Sequence, residues 1–139
     1  MLNTLAAWRQ RRGAGAAARE VDEFLRVARL SFVKLQAAWD AADLAALAAL
    51  TTGPLAEELR EELAARGPGP NRTEVLTLDA RLLAMEELTE AYIASVEFSG
   101  LIREQLDAGA APFRELWMLA RPKADGGPGW RLARVQALA

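Results

Sequence analysis

From Val21 the chain repeats apolar residues at helical spacing. Val21, Phe24, Leu25, Ala28, Phe32, Leu35 and Trp39 share one face, while Arg26, Lys34 and Gln36 take others. The pattern predicts an amphipathic helix of about five turns. Asp40 lies just past its last apolar residue, and Asp43 precedes a new apolar set of Leu44, Leu47 and Ala48. Asp43 is therefore expected to cap a second, short helix, with Asp40 as a solvated helix end. Gly53-Pro54 restarts the chain with proline at an early helical position. Leu55, Leu59 and Leu63 form the seam of a third helix, opposite Glu57, Glu58, Glu61 and Glu62. "RGPGPN", residues 66–71, ends that helix in a turn.

Beyond this turn the period changes. Leu76, Leu78, Ala80, Leu82 and Ala84 alternate with Thr77, Asp79, Arg81 and Leu83, as in a strand with one buried face. Tyr92, Ala94, Val96 and Phe98 alternate with Ile93, Ser95 and Glu97. Propensity points the other way, since "ARLLAMEELTEAYIA" is rich in helix formers, but tertiary pairing overrides propensity in sheets. Gly100 is expected at a bulge or bend. "FRELWMLARP" (113–122) and "WRLARVQAL" (130–138) predict two more strands around the "KADGGPG" loop. Helices first and an antiparallel meander after predict an α+β domain, with the helices on one face of a curved four-stranded sheet. This order resembles the nuclear-transport-factor-2-like cone, which hosts enzymes and binding modules alike. There, the helix with Trp39 lies across the concave side of the sheet and Asp40–Asp43 form a corner.

The first nineteen residues differ from the rest. In "LNTLAAWRQRR" (2–12), Leu2, Leu5, Ala6 and Trp8 lie close to one helical face and arginines follow; "GAGAAAR" (13–19) is expected to loosen the chain. Arg9, Arg11, Arg12 and Arg19 all precede the first acidic residue, Glu20. Removing these four charges from the net −2 leaves −6 for residues 20–139. The division read is a basic amphipathic segment and linker, 1–19, and a single domain, 20–139. Leu5, Trp8, Arg9, Arg11 and Arg12 are candidate membrane contacts, with apolar groups at the headgroup boundary and arginines on anionic lipid. The competing reading is a segment docked on its own domain, or disordered. The acidic domain opposes nucleic-acid binding.

Composition removes several chemistries. With no cysteine and no histidine, the chain has no thiolate and lacks the commonest ligands for a transition metal. No metal or cofactor is expected. The two glycine-rich loops lack the Lys-Ser/Thr of a phosphate loop and read as turns. Asp40, Asp43, Asp79 and Tyr92 are the parts available to a carboxylate-based isomerase or dehydratase, the alternative function on this scaffold. Each also has a structural role to play instead. Phe32, Trp39, Phe98 and Trp117 are candidate walls of an apolar pocket, against the commoner reading of aromatics as core.

Four stretches together resemble the C-terminal domain of the mitochondrial inner-membrane translocase subunit 44, the import-motor tether, and more closely its bacterial relatives. They are "FLRVARLSFVKLQAAWDAADLAAL", "NRTEVLTLDARLLAMEE", "YIASVEFSGLIRE" and "FRELWMLARP…GWRLARVQ", covering most of residues 20–138. The resemblance implies a non-enzymatic domain associated with a bacterial inner membrane; with no apolar run of the roughly 18–20 residues a span needs, the chain as given is expected to be a soluble domain on the cytoplasmic side. It further implies contact with cardiolipin-rich lipid through the leading helices, a protein or peptide client and a large apolar pocket. Apart from the resemblance, a homo-oligomer, a dimer through the exposed face of the sheet, is a third, structural outcome. Bacterial relatives begin with a hydrophobic anchor and glycine-rich linker; neither is found here, and the expectation is that Met1 opens a shortened chain.

Overall fold

The computed structural model describes residues 14–67, 72–104, 109–124 and 129–138. Within them, helices α1 (Ala14–Asp40), α2 (Leu44–Leu50) and α3 (Gly53–Arg66) precede strands β1 (Glu74–Glu87), β2 (Ala91–Arg103), β3 (Ala111–Pro122) and β4 (Arg131–Ala137). The strands form one antiparallel meander in the order β1-β2-β3-β4. This is the expected α+β arrangement, with helices packed on an open four-stranded sheet in the manner of the nuclear-transport-factor-2-like cone.

Helix α1 begins at Ala14, not at Val21, so the loosening expected over 13–19 is absent from residues 14–19. Alanines at 14, 16, 17 and 18 are the best helix formers and outweigh the ~1 kcal/mol that Gly15 costs. Val21, Ala28, Phe32, Leu35 and Ala38 bury one face. The helix ends in a tight reversal: the Asp43 N–H donates to the Ala38 carbonyl (2.9 Å) and the Ala42 N–H to that of Trp39 (3.1 Å). Ala42 takes a left-handed backbone (φ 54°) at the position where such reversals usually hold glycine. Asp43 then caps α2 as expected, its carboxylate accepting from the Ala46 N–H at 3.1 Å.

Thr51 and Thr52 fasten the helices to the outer edge of β4. The buried Thr51 hydroxyl donates to the Leu47 carbonyl (2.7 Å), and the Thr52 N–H donates to that of Leu132 (2.9 Å). Pro54 sits in the first turn of α3, whose seam buries Leu55 and Leu63 with Leu59 half-buried.

The strands and the alternation read across β2 are as expected, and the helix-favouring composition there is overridden by pairing. Ala94, Val96, Phe98, Trp117, Leu119, Leu82 and Leu132 all point to the helix side and are buried. One detail differs. Leu76 and Leu83 are extra residues at bulges in β1, where the register shifts against β2. Each bulge resets the alternation, so Leu76 is exposed and Ala84 shares a register with outward Ser95. Gly100 lies beside the first bulge with φ 154°; a Cβ there would stand 2.1 Å from the Thr77 carbonyl oxygen. Only glycine admits this approach.

Candidate functional site

Four aromatic rings fill the space between α1 and the sheet. Phe32 lies 4.9 Å from both Phe98 and Trp117 and 5.5 Å from Phe113, ring centre to ring centre. Phe98 and Trp117 meet edge to face at 4.9 Å. The Trp117 indole N–H, which would be costly to bury alone, donates to the Glu115 carboxylate at 2.9 Å. Three of the four pocket candidates, Phe32, Phe98 and Trp117, are thus buried packing partners of one another.

Trp39 stands apart at the helical corner. The Arg66 guanidinium, at the end of α3, lies 5.1 Å over its ring and donates to its carbonyl at 2.9 Å. Next to it, Asp40 accepts from Thr73 through both the backbone N–H (2.6 Å) and the hydroxyl (2.9 Å). Asp40 is therefore not a solvated helix end; it ties the corner to the start of β1.

The carboxylates and the tyrosine do not assemble into one centre. Asp79 pairs with Ser99 on the side of the sheet away from the helices, while Tyr92 shares the register of Glu87 and Arg121 on the helix side. Asp40 lies beside the first residue of β1, and Tyr92 opposite its last. Strand β1 has 14 residues, so ~40 Å separates those ends. Lys123 holds its ammonium 4.9 Å from the Tyr92 ring and pairs with Glu87 at 2.9 Å. Among the described residues no group of three or more acidic, histidine or cysteine side chains is placed to hold a metal ion.

The candidate membrane residues Leu5, Trp8, Arg9, Arg11 and Arg12 lie outside the described residues. The helix that follows them carries a feature the sequence reading passed over. Val27, Leu30 and Val33 are 37%, 48% and 49% exposed on the side of α1 facing away from the core. Arg26 and Lys34 flank them, also exposed. This second stripe was legible, because 27, 30 and 33 repeat at helical spacing opposite Ala28, Phe32 and Leu35. The Glu23 carboxylate accepts two bonds from Arg26 (2.6 and 3.1 Å), which hold its pKa below and that of Arg26 above the ordinary value. Arg60 binds Glu57 likewise one turn apart on α3, with the same directions of shift. No helix among the described residues is long and apolar enough to cross a membrane.

The family model of the Tim44-like domain matches residues 17–137, nearly the whole of the helices and sheet just described. No curated protein matches the chain.

Proposed function

This chain belongs to the Tim44-like domain family, and on that premise we propose that it is a non-catalytic accessory domain working at a bacterial inner membrane in connection with protein transport. It binds anionic lipid of the cardiolipin kind, and a protein or peptide client joins it there. The observation that carries the reading is the outward face of α1. Large apolar side chains at Val27, Leu30 and Val33 stay open to solvent beside the exposed Lys34, on the helix that follows the basic segment in the chain. Such a surface suits the boundary between headgroups and acyl chains: apolar groups enter it, and basic groups gain about 1 kcal/mol each beside an anionic leaflet. Leu5 and Trp8 add apolar groups for the same boundary, and Arg9, Arg11 and Arg12 add positive charge.

Substitution within the full chain tests the assignment of these residues. A variant with Trp8→Ala and with Arg9, Arg11 and Arg12 each changed to Gln is compared with the parent on phosphatidylcholine vesicles containing cardiolipin. Partitioning is expected to fall on the order of a hundredfold, the worth of three arginines. Leu30→Gln with Val33→Gln is expected to weaken it further. Unchanged partitioning in both variants overturns the membrane role of this surface.

A further inference from the structure

One carboxylate stands in the apolar middle of the helix side of the sheet. Glu115 shares a row there with the buried Phe98 and with Ala137, and the next row holds Trp117 and Val135. Glu87 and Arg121 are also charged on this side, but they flank Tyr92 at the far end of the strands. Glu115 is half-buried, and its Oε1 accepts the Trp117 indole N–H at 2.9 Å. Among the described residues that is its one bond, and no arginine or lysine pairs with it. A neutral oxygen would satisfy the indole equally well. A carboxylate instead brings a charge that is costly in apolar surroundings, and a second oxygen, Oε2, that is left over.

The surroundings of Glu115 are open to a ligand on the side of β4. Thr51 and Thr52 hold the helices to that strand at Leu132, close to its start. Further along, on the same side, Val135 is 41% exposed and Ala137 is exposed. The Leu138 N–H donates to the Arg114 carbonyl at 2.8 Å and keeps this end of β4 against β3. On the other side of Glu115 along β3, the half-buried Phe113 stacks on Phe32 at 5.5 Å. From Phe113 to Trp117 the strip runs ~13 Å along β3, and two strands make it ~10 Å wide. That area suits one ring on a short chain and is far below what a protein partner needs. We propose that Glu115 anchors a binding site for a small organic cation. A primary ammonium pairs with its carboxylate, and the apolar remainder lies along Phe113, Val135 and Ala137. The indole bond holds the carboxylate in place beforehand, so the charge-assisted hydrogen bond forms at little ordering cost. The site is independent of the membrane reading, which rests on the outward stripe of α1.

Titration of the full chain with phenethylammonium chloride, followed by NMR at constant ionic strength, tests it. A saturable shift of the Trp117 indole N–H and of the Val135 methyl groups is expected at millimolar concentrations. Phenylpropionate, with the same ring and the opposite charge, is expected to leave both in place. Glu115→Gln keeps an oxygen for the indole and removes the charge, and is expected to weaken binding about tenfold or more. Ala137→Trp covers the carboxylate from an exposed position and is expected to abolish binding with the charge intact. Thermal melting of both variants separates loss of the site from loss of fold. No saturable shift in the parent, equal shifts with the two compounds, or undiminished binding by either variant overturns the proposal.

Discussion

Thr73 donates both its backbone N–H and its hydroxyl to the carboxylate of Asp40, at 2.6 and 2.9 Å, across thirty-three residues of chain. With Arg66 on the Trp39 carbonyl, this bond makes the end of α1 the meeting point of α3 and β1. Hydrogen bonds to a charged acceptor in a half-buried site contribute about 1.5–3 kcal/mol. Asp40→Ala is expected to lower stability by about that amount in urea unfolding, and Thr73→Val by less, since its N–H remains. A cost near zero for Asp40→Ala would show the corner to be held otherwise.

The left-handed residue at the same corner gives a prediction of opposite sign. Ala42 has φ 54°, a backbone that costs an L-residue roughly 1–2 kcal/mol and glycine almost nothing. Ala42→Gly is therefore expected to raise the urea midpoint, with a net gain in unfolding free energy of ~1 kcal/mol once the extra freedom of glycine in the unfolded chain is subtracted. A lowered midpoint contradicts this account of the reversal.

Gly100→Ala is expected to be among the costlier single changes in the sheet. The added carbon meets the Thr77 carbonyl at 2.1 Å, and the backbone of β1 at its bulge has to move. Overpacking of this kind costs about 1–3 kcal/mol. The Leu101 N–H, which donates to the Thr77 hydroxyl at 2.9 Å, is expected to lose hydrogen-exchange protection in the same variant.

On the surface of α3, the hydrogen bonds from Arg60 and then its charge hold the Glu57 carboxyl below the ordinary glutamate value. A lowered folded-state pKa contributes stability that is present above the unfolded pKa and lost as pH falls through the folded one. An NMR titration should place the Glu57 midpoint below that of an unpaired glutamate, and Arg60→Gln should return it. An unmoved midpoint would mean that the pair does not persist in solution.

How far these features were legible depends on how local they are. Asp43 was readable as a cap because a cap needs only its own side chain and the next three residues. The strands were readable because Ala94, Val96 and Phe98 keep strict alternation despite helix-favouring neighbours. Ala42 gave no signal, since alanine is not the residue that marks a left-handed turn. The bulges at Leu76 and Leu83 were hidden for the same reason: apolar residues on both sides make a shifted alternation look continuous. The Asp40–Thr73 bond was out of reach, being set by where β1 returns in space. At the candidate site, composition offered Phe32, Phe98 and Trp117 as large aromatics, but whether such rings line a space or fill it depends on how α1 lies on the sheet. The outward stripe of α1 was in the sequence, masked by the stronger inward one.

The central claim is that the intact chain associates with an anionic membrane. The direct measurement is co-sedimentation with phosphatidylcholine vesicles of graded cardiolipin content, at low and at high salt. Binding is predicted to rise steeply with cardiolipin and to weaken as salt shortens the reach of the arginine charges. Binding that ignores cardiolipin content and salt, or no binding at any composition, would contradict it.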